Sequence, residues 1–410
     1  MDSHLVLTDI LRAVLNGESP VLPELNAADW QALFRLADAH KLTAVIHQAV
    51  YTHPAFLRST YEFRAGLSRT TRETVMRQSL KTADFLRLYT QLEARGLRPL
   101  VVKGIVCRSL WPAPDLRPSG DEDLLIPPEQ FPLYDAALRE LGFAPVSEEA
   151  AASDSYEIAY RSPKSPLLIE LHRQLFPPGS SAYGWLNDWF ANVSDTAVPV
   201  TVDGITVWTP APTPHMLYLL CHAFKHFVHS GVGIRQTADI ALMANAFGGE
   251  IDWAWIETPL RRMQADCWAA AMLKIGVQTL GLDPEKACLP DTLLPADIDT
   301  APLLADILSG ALYGANTMAR QHSGNVTLAA VEQQHGDTSR GLLRTLFPPK
   351  AALLHRYPYL NKYPLLLPAA WLQRLGGYCR SSRRENRSLT ESYTIGQQRA
   401  ALLRQYRVLR

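Results

Sequence analysis

Asp121 and Asp123 stand two residues apart at the start of a short apolar run, EDLLIP. In a strand, side chains at i and i+2 share a face. Two carboxylates held side by side there repel each other unless a cation sits between them. Hard divalent ions such as Mg²⁺ take oxygen ligands and commonly share them with substrate phosphates. Glu170 lies inside a second short run, LLIEL. Paired beside the first run, it would bring its carboxylate to the two aspartates. Three carboxylates on adjacent strands suit a two-metal phosphoryl-transfer site. One ion would lower the pKa of an attacking hydroxyl, and the other would hold a triphosphate and neutralise the leaving pyrophosphate. Taken alone, an Asp-x-Asp at a loop-to-strand junction is more often a solvated turn or a cap. The upstream Lys103-Gly104 turn, Arg117 and the later Glu170 shift that balance toward chemistry.

The elements that must position these residues follow from hydrophobic period. Residues 1–96 read as helical, with a stripe at Trp30, Leu33, Leu36, Ala37 and Val45 in DWQALFRLADAHKLTAVIHQAV. A second long helix is predicted from about Thr71 to Arg95, capped by Gly96. Residues 97–210 change character: LRPLVVKG, EDLLIP, SYEIAYR and PLLIELH are all of strand length. VPVTVDGITVW is a hairpin around Asp203-Gly204, and EQFPLYDAALRELGF is a helix stopped by Gly142. Hairpins exclude a purely parallel sheet, so this part reads as a small mixed α/β core within an α+β chain. Residues 211–300 read as helical again, Pro214 suiting a first turn. Residues 301–410 read as helical or irregular and end in an Arg-rich tail, with eight arginines from Arg380 onward against Glu385 and Glu391.

Composition sets outer limits. At 47% hydrophobic and 20% charged residues, the 410-residue chain is globular rather than disordered, and long enough for two or three structural units. Forty basic residues balance forty acidic ones, so no whole-molecule basic field exists for nucleic acid. Cys107, Cys221, Cys267, Cys288 and Cys379 form no CxxC pair, which favours a reducing cytoplasm over a disulfide framework or zinc ribbon. The first residues lack a basic region followed by a long apolar run, so no signal peptide is read. YPLLLPAAWL, broken by Pro364 and Pro368, is too short to span a membrane.

The joint order of motifs resembles a known family. Lys103-Gly104 after a strand, Trp111-Pro112 and Arg117, then Asp121-x-Asp123, then Glu170-x-His172 is similar to the bacterial uncharacterised nucleotidyltransferase family of the DNA polymerase β-like superfamily. The likeness continues into VTVDGITVW and HAFKHFVHSGVGIRQTADIALM, and extends weakly over both helical flanks. The resemblance implies a nucleotidyltransferase core at 97–210, with 211–300 lining its cleft. It implies an NTP donor, two Mg²⁺ ions (or Mn²⁺), and Asp121, Asp123 and Glu170 as metal ligands and catalytic groups. It places Lys103, Gly104, Arg117 and Ser119 at the nucleotide phosphates. The acceptor stays open among a small molecule, a peptide, a protein and RNA.

Departures from the superfamily pattern supply the alternative. Ile105 stands where a serine or glycine normally follows the turn glycine, and Glu122, between the aspartates, should point to the opposite strand face. Those two residues favour a catalytically degenerate nucleotide-binding or protein-interaction module, with a partner protein in place of a substrate. A third reading is an RNA-modifying transferase that uses the Arg-rich tail.

Several residues keep two readings. Arg117 is a phosphate clamp or a salt bridge to Asp115 or Asp121. Lys103 is a phosphate ligand or a snorkelling surface lysine. His222, His226 and His229 share one helix face, as a zinc or acceptor site or as a polar stripe along the cleft. Arg235 and Asp239 are an i, i+4 salt bridge or cleft residues. His172 shares the strand face of Glu170, where it orders that carboxylate or bonds at the sheet edge.

Overall fold

The computed structural model describes residues 2–229, 231–310, 350–353, 357, 359–373 and 401–409. The arginines from Arg380 to Arg399, and with them most of the basic tail, lie outside the described residues.

Five helices open the chain: α1 (Ser3–Leu15), α2 (Ala27–Ala39), α3 (Thr43–Val50), α4 (Pro54–Leu57) and α5 (Tyr61–Glu93). Asn26 and Asp29 form a capping box that starts α2. The stripe read as one segment is broken at Lys41, whose φ is 57°, so α3 leaves in a new direction. Helix α5 begins ten residues earlier than its strong apolar stripe. Thr60 caps it, and Phe63 and Leu67 give its first turns an apolar anchor. It ends at Glu93, two residues before the expected Arg95, and the turn that follows closes on Gly96, with φ 76°.

The sheet comprises β1 (Leu100–Val101), β2 (Glu122–Leu125), β3 (Ala144–Pro145), β4 (Glu157–Arg161), β5 (Leu168–His172), β6 (Val198–Val202) and β7 (Ile205–Thr209). Their spatial order is β3-β4-β5-β2-β1-β7-β6. Strand β2 runs parallel to β5 and antiparallel to β1, while β1 runs parallel to β7. The fold is therefore mixed α/β, as read from the hairpins. Between these strands come α6 (Ile105–Ser109), α7 (Phe131–Glu140) and α8 (Glu148–Ala151). Then follow α9 (Pro212–His229), α10 (Ile234–Phe247), α11 (Trp253–Arg262), α12 (Asp266–Ile275) and α13 (Ala301–Gly310).

Alternation along the strands sorts side chains into two cores. Leu124, Ile169 and Leu171 pack with Phe85, Tyr89 and Leu92 of α5 and with Tyr134 and Leu138 of α7. Leu125 faces the other way, into a larger cluster shared by α1–α3 and α9–α12. The two helical ends of the chain thus bury one continuous core against this second face. Leu402, Leu403 and Tyr406 join it, with Tyr406 Oη donating to the carbonyl of Asp299 at 2.8 Å. Among the described residues, no helix is long and apolar enough to cross a membrane.

Candidate active site

The site lies where β2 and β5 run side by side beneath α9. Their parallel register sets Asp123 opposite Glu170 and Leu125 opposite His172. Period two then puts Asp123, Glu170 and His172 on one face. Glu157 of β4 is the antiparallel partner of His172 and shares that face. One ligand atom each from Asp123, Glu170 and His172 lies within 4.8 Å of the others. It is the one such metal-capable group among the described residues.

Asp123 is buried, with Lys103 Nζ 3.0 Å from Oδ2 and His172 Nε2 3.2 Å from Oδ1. Burial alone would raise its pKa, but Lys103 and His172 hold the carboxyl well below the usual range. Burial would lower His172, yet its hydrogen bond to Asp123 and the surrounding carboxylates raise it. Glu170 is half-buried, and burial followed by the charges of Asp123 and Asp121 pushes it up to about 7. Asp121 precedes β2 and retains a quarter of its side-chain exposure. Lys103 Nζ stands 3.9 Å from it, so one ammonium bridges the two aspartates.

Glu122 does point to the opposite face, and there it meets the glycine turn. Its carboxylate accepts the Ile105 N–H at 2.7 Å and lies 3.7 Å from Arg108. Burial raises it to about 7, against the pull of Arg108. Gly104 has φ 60° and ψ −118°, and a Cβ there would stand 2.7 Å from Glu122 Cδ. The first amide of α6 thus faces a carboxylate of the protein itself.

The loop between α6 and β2 is held from several sides. Arg117 is buried and binds both carboxylate oxygens of Asp239 on α10, and Trp111 Nε1 donates to the same group at 2.8 Å. Arg235 donates to the carbonyl of Pro118. Lys81 of α5 donates to the carbonyls of Ser119 and Gly120 at 2.9 and 2.8 Å. Ser119 Oγ lies 3.4 Å from both Gln78 and Glu122. Arg117, Ser119, Arg235 and Asp239 therefore converge on the segment that delivers Asp121 and Asp123, rather than on the carboxylate cluster. The Arg117 salt bridge takes Asp239 as partner, not Asp115 or Asp121.

Helix α9 roofs the cluster. His215 anchors it, with Nε2 2.9 Å from the carbonyl of Val102. The rings of His222 and His226 meet edge to face at 4.5 Å, and His229 lies 6.4 Å from Tyr183. Burial, then the positive charge of Lys103, pushes His222 well down and His226 to about 3, so both rings are neutral. Lys225, on the same stretch, is lowered by burial and feels Glu157, Asp123 and Glu170. Lys225 and Glu157 beside the cluster, and Lys81, Arg108 and His215 around it, were not singled out from sequence. Lys225 was hidden among the histidines, and Glu157 becomes visible only through the β4–β5 register.

A family model described as an uncharacterised nucleotidyltransferase matches residues 26–281, more than half of the chain. The chain belongs to that family. The matched segment runs from the cap of α2 to just beyond α12 and holds every residue of this nucleotidyltransferase-family site. No curated protein and no solved structure matches it. Membership makes the chain a nucleotidyltransferase-family protein with a carboxylate–histidine cluster in its sheet, and leaves donor, acceptor and mechanism to be argued.

Proposed function

We propose that the chain moves a nucleoside monophosphate from an NTP to an acceptor hydroxyl, releasing pyrophosphate. The observation that carries this reading is the Asp123–Glu170 pairing across parallel strands, with Asp121 leading from it toward solvent. The donor set fits divalent ions: Asp123 Oδ2 is buried and already draws the positive charge of Lys103 to 3.0 Å. Asp121, Asp123 and Glu170 would hold Mg²⁺. Bound there, such ions would neutralise the triphosphate and acidify the acceptor hydroxyl.

The rest is done by side chains. Lys103 and Lys225 both supply positive charge that the cluster's carboxylates feel, which suits the phosphates of the donor. Glu170 is the more accessible inner carboxylate, placed to take the acceptor proton as well as to ligate. The α9 face of His222 and His226, neutral and half-buried, suits an acceptor better than a triphosphate. Calorimetry of each NTP with Mg²⁺, followed by release of pyrophosphate from an α-labelled donor, tests the reading. Metal-dependent binding lost in Asp123→Ala is the expected result. Turnover that survives Asp123→Ala would refute it.

Glu122 favours a second reading. It fills the first amide of α6, where the superfamily resemblance puts a nucleotide contact. A module that binds nucleotide, or a partner protein, without turnover would show NTP binding but no pyrophosphate release with any acceptor.

A further inference from the structure

Asp123 presents its two oxygens to two different neighbourhoods. Oδ2 faces Lys103 and, beyond that ammonium, Asp121. Oδ1 faces His172, with Glu170 alongside. A cation between the aspartates would meet oxygen ligands only. A cation on the Oδ1 side would meet two carboxylates and an imidazole.

We infer that Asp123, Glu170 and His172 form a mixed carboxylate–imidazole site for a first-row transition ion of the Mn²⁺ class, with Glu157 orienting the imidazole. This deepens the nucleotidyltransferase reading and rests on it, because it names the ion class of one of the two positions. Mg²⁺ is a hard ion that seldom accepts nitrogen, whereas Mn²⁺, Fe²⁺ and Zn²⁺ accept imidazole beside carboxylate. Two observations beyond the cluster itself support the assignment. His172 is 3% exposed and its Nδ1 makes no hydrogen bond, although Glu157 Oε2 lies 3.8 Å from it. A ligating histidine characteristically turns its other ring N–H toward a carboxylate, which fixes the tautomer and the ring plane. The β4–β5 register supplies that carboxylate directly across from His172. In this structure the same ring uses Nε2 on Asp123. With an ion bound, Nε2 would offer its lone pair, and the proton would sit on Nδ1 toward Glu157.

The test is Mn²⁺ and Mg²⁺ titration of the full chain without nucleotide, with pulsed EPR of the bound Mn²⁺. The expected result is a ¹⁴N coupling on Mn²⁺, lost in His172→Gln and kept in His222→Gln. Glu157→Gln should weaken Mn²⁺ by about tenfold, within the range for outer-shell partners of ligating histidines, and change Mg²⁺ much less. Mn²⁺ bound with no nitrogen coupling in the native chain would overturn the assignment and make His172 a positioning residue for Asp123. A coupling that persists in folded His172→Gln would overturn it equally. Pyrophosphate release with Mg²⁺, assayed in parallel, reads the broader proposal separately: turnover without nitrogen coupling removes only the transition-ion site.

Discussion

Glu122 and Asp123 are neighbours in β2 and send their carboxylates to opposite faces of the sheet. Glu122 accepts the Ile105 N–H at 2.7 Å, and Asp123 meets Lys103 Nζ at 3.0 Å. Strand alternation thus divides three consecutive acidic residues, Asp121 to Asp123, between one cluster and one buried brace. The proposed chemistry belongs to the Asp123 face. Asp123→Asn should lower transfer by at least about a hundredfold, since metal-held charge stabilisation is worth several kcal/mol. Glu122→Gln keeps an acceptor for Ile105 and should leave turnover within about threefold. Steady-state pyrophosphate release on both variants checks this. Equal losses from the two would mean that the faces do not divide the work.

Gly104 is the point where the brace leaves no room. Its φ of 60° and ψ of −118° suit glycine alone, and an added Cβ would crowd Glu122 Cδ at 2.7 Å. Backbone strain of that kind costs about 1–3 kcal/mol. Gly104→Ala should therefore lose at least about 2 kcal/mol in urea melts. An unchanged melt would show that the turn relaxes freely and that Glu122 does not clamp it.

Local chemistry was readable from the sequence wherever a short-range rule governs it. The Asp203-Gly204 turn has positive φ at both residues, and the β6–β7 register closes on Val202 opposite Ile205. The strand runs around Asp123 and Glu170 were evident from apolar length alone, and the opposite facing of Glu122 from period two. What stayed hidden depends on distant partners. Nothing near Arg117 announces Asp239, which lies 122 residues away on α10. Glu157 belongs to the site through a cross-strand register that a single strand does not encode. The start of α5 was missed because its polar first turns are held by packing on Phe63 and Leu67 rather than by a broad stripe.

Arg117 and Asp239 are a buried ion pair shared with Trp111. Removing one partner leaves an uncompensated charge inside the protein, at a cost of about 3–5 kcal/mol. Asp239→Asn should lower stability by that order. Arg117→Met combined with Asp239→Leu should recover only part of it, because an apolar pair carries no stranded charge but leaves the buried Trp111 N–H without its acceptor. A double-mutant cycle on urea melts measures the coupling. Were Arg117 instead a phosphate clamp, Arg117→Lys would raise the KM for NTP while leaving stability nearly intact.

His215 gives the pH dependence its clearest sign. It joins α9 to β1 through the carbonyl of Val102 and lies 3.3 Å from Thr209 Oγ1. Burial pushes it from 6.5 down to about 4, against the bond to Val102. Unfolded chains bind the proton below 6.5, and the folded chain binds it only below about 4. Between those values the unfolded state holds more protons, so stability rises with pH. The group's contribution is full above 6.5 and is lost as pH falls toward 4, with a size on the order of 3 kcal/mol. His215→Gln can keep a donor for Val102 and removes the titration. Stability plotted against pH from urea melts should therefore be shallower in the variant by up to one proton between pH 4 and 6.5. Parallel slopes would show that His215 titrates alike in the folded and unfolded chains, and that the Val102 bond offsets burial.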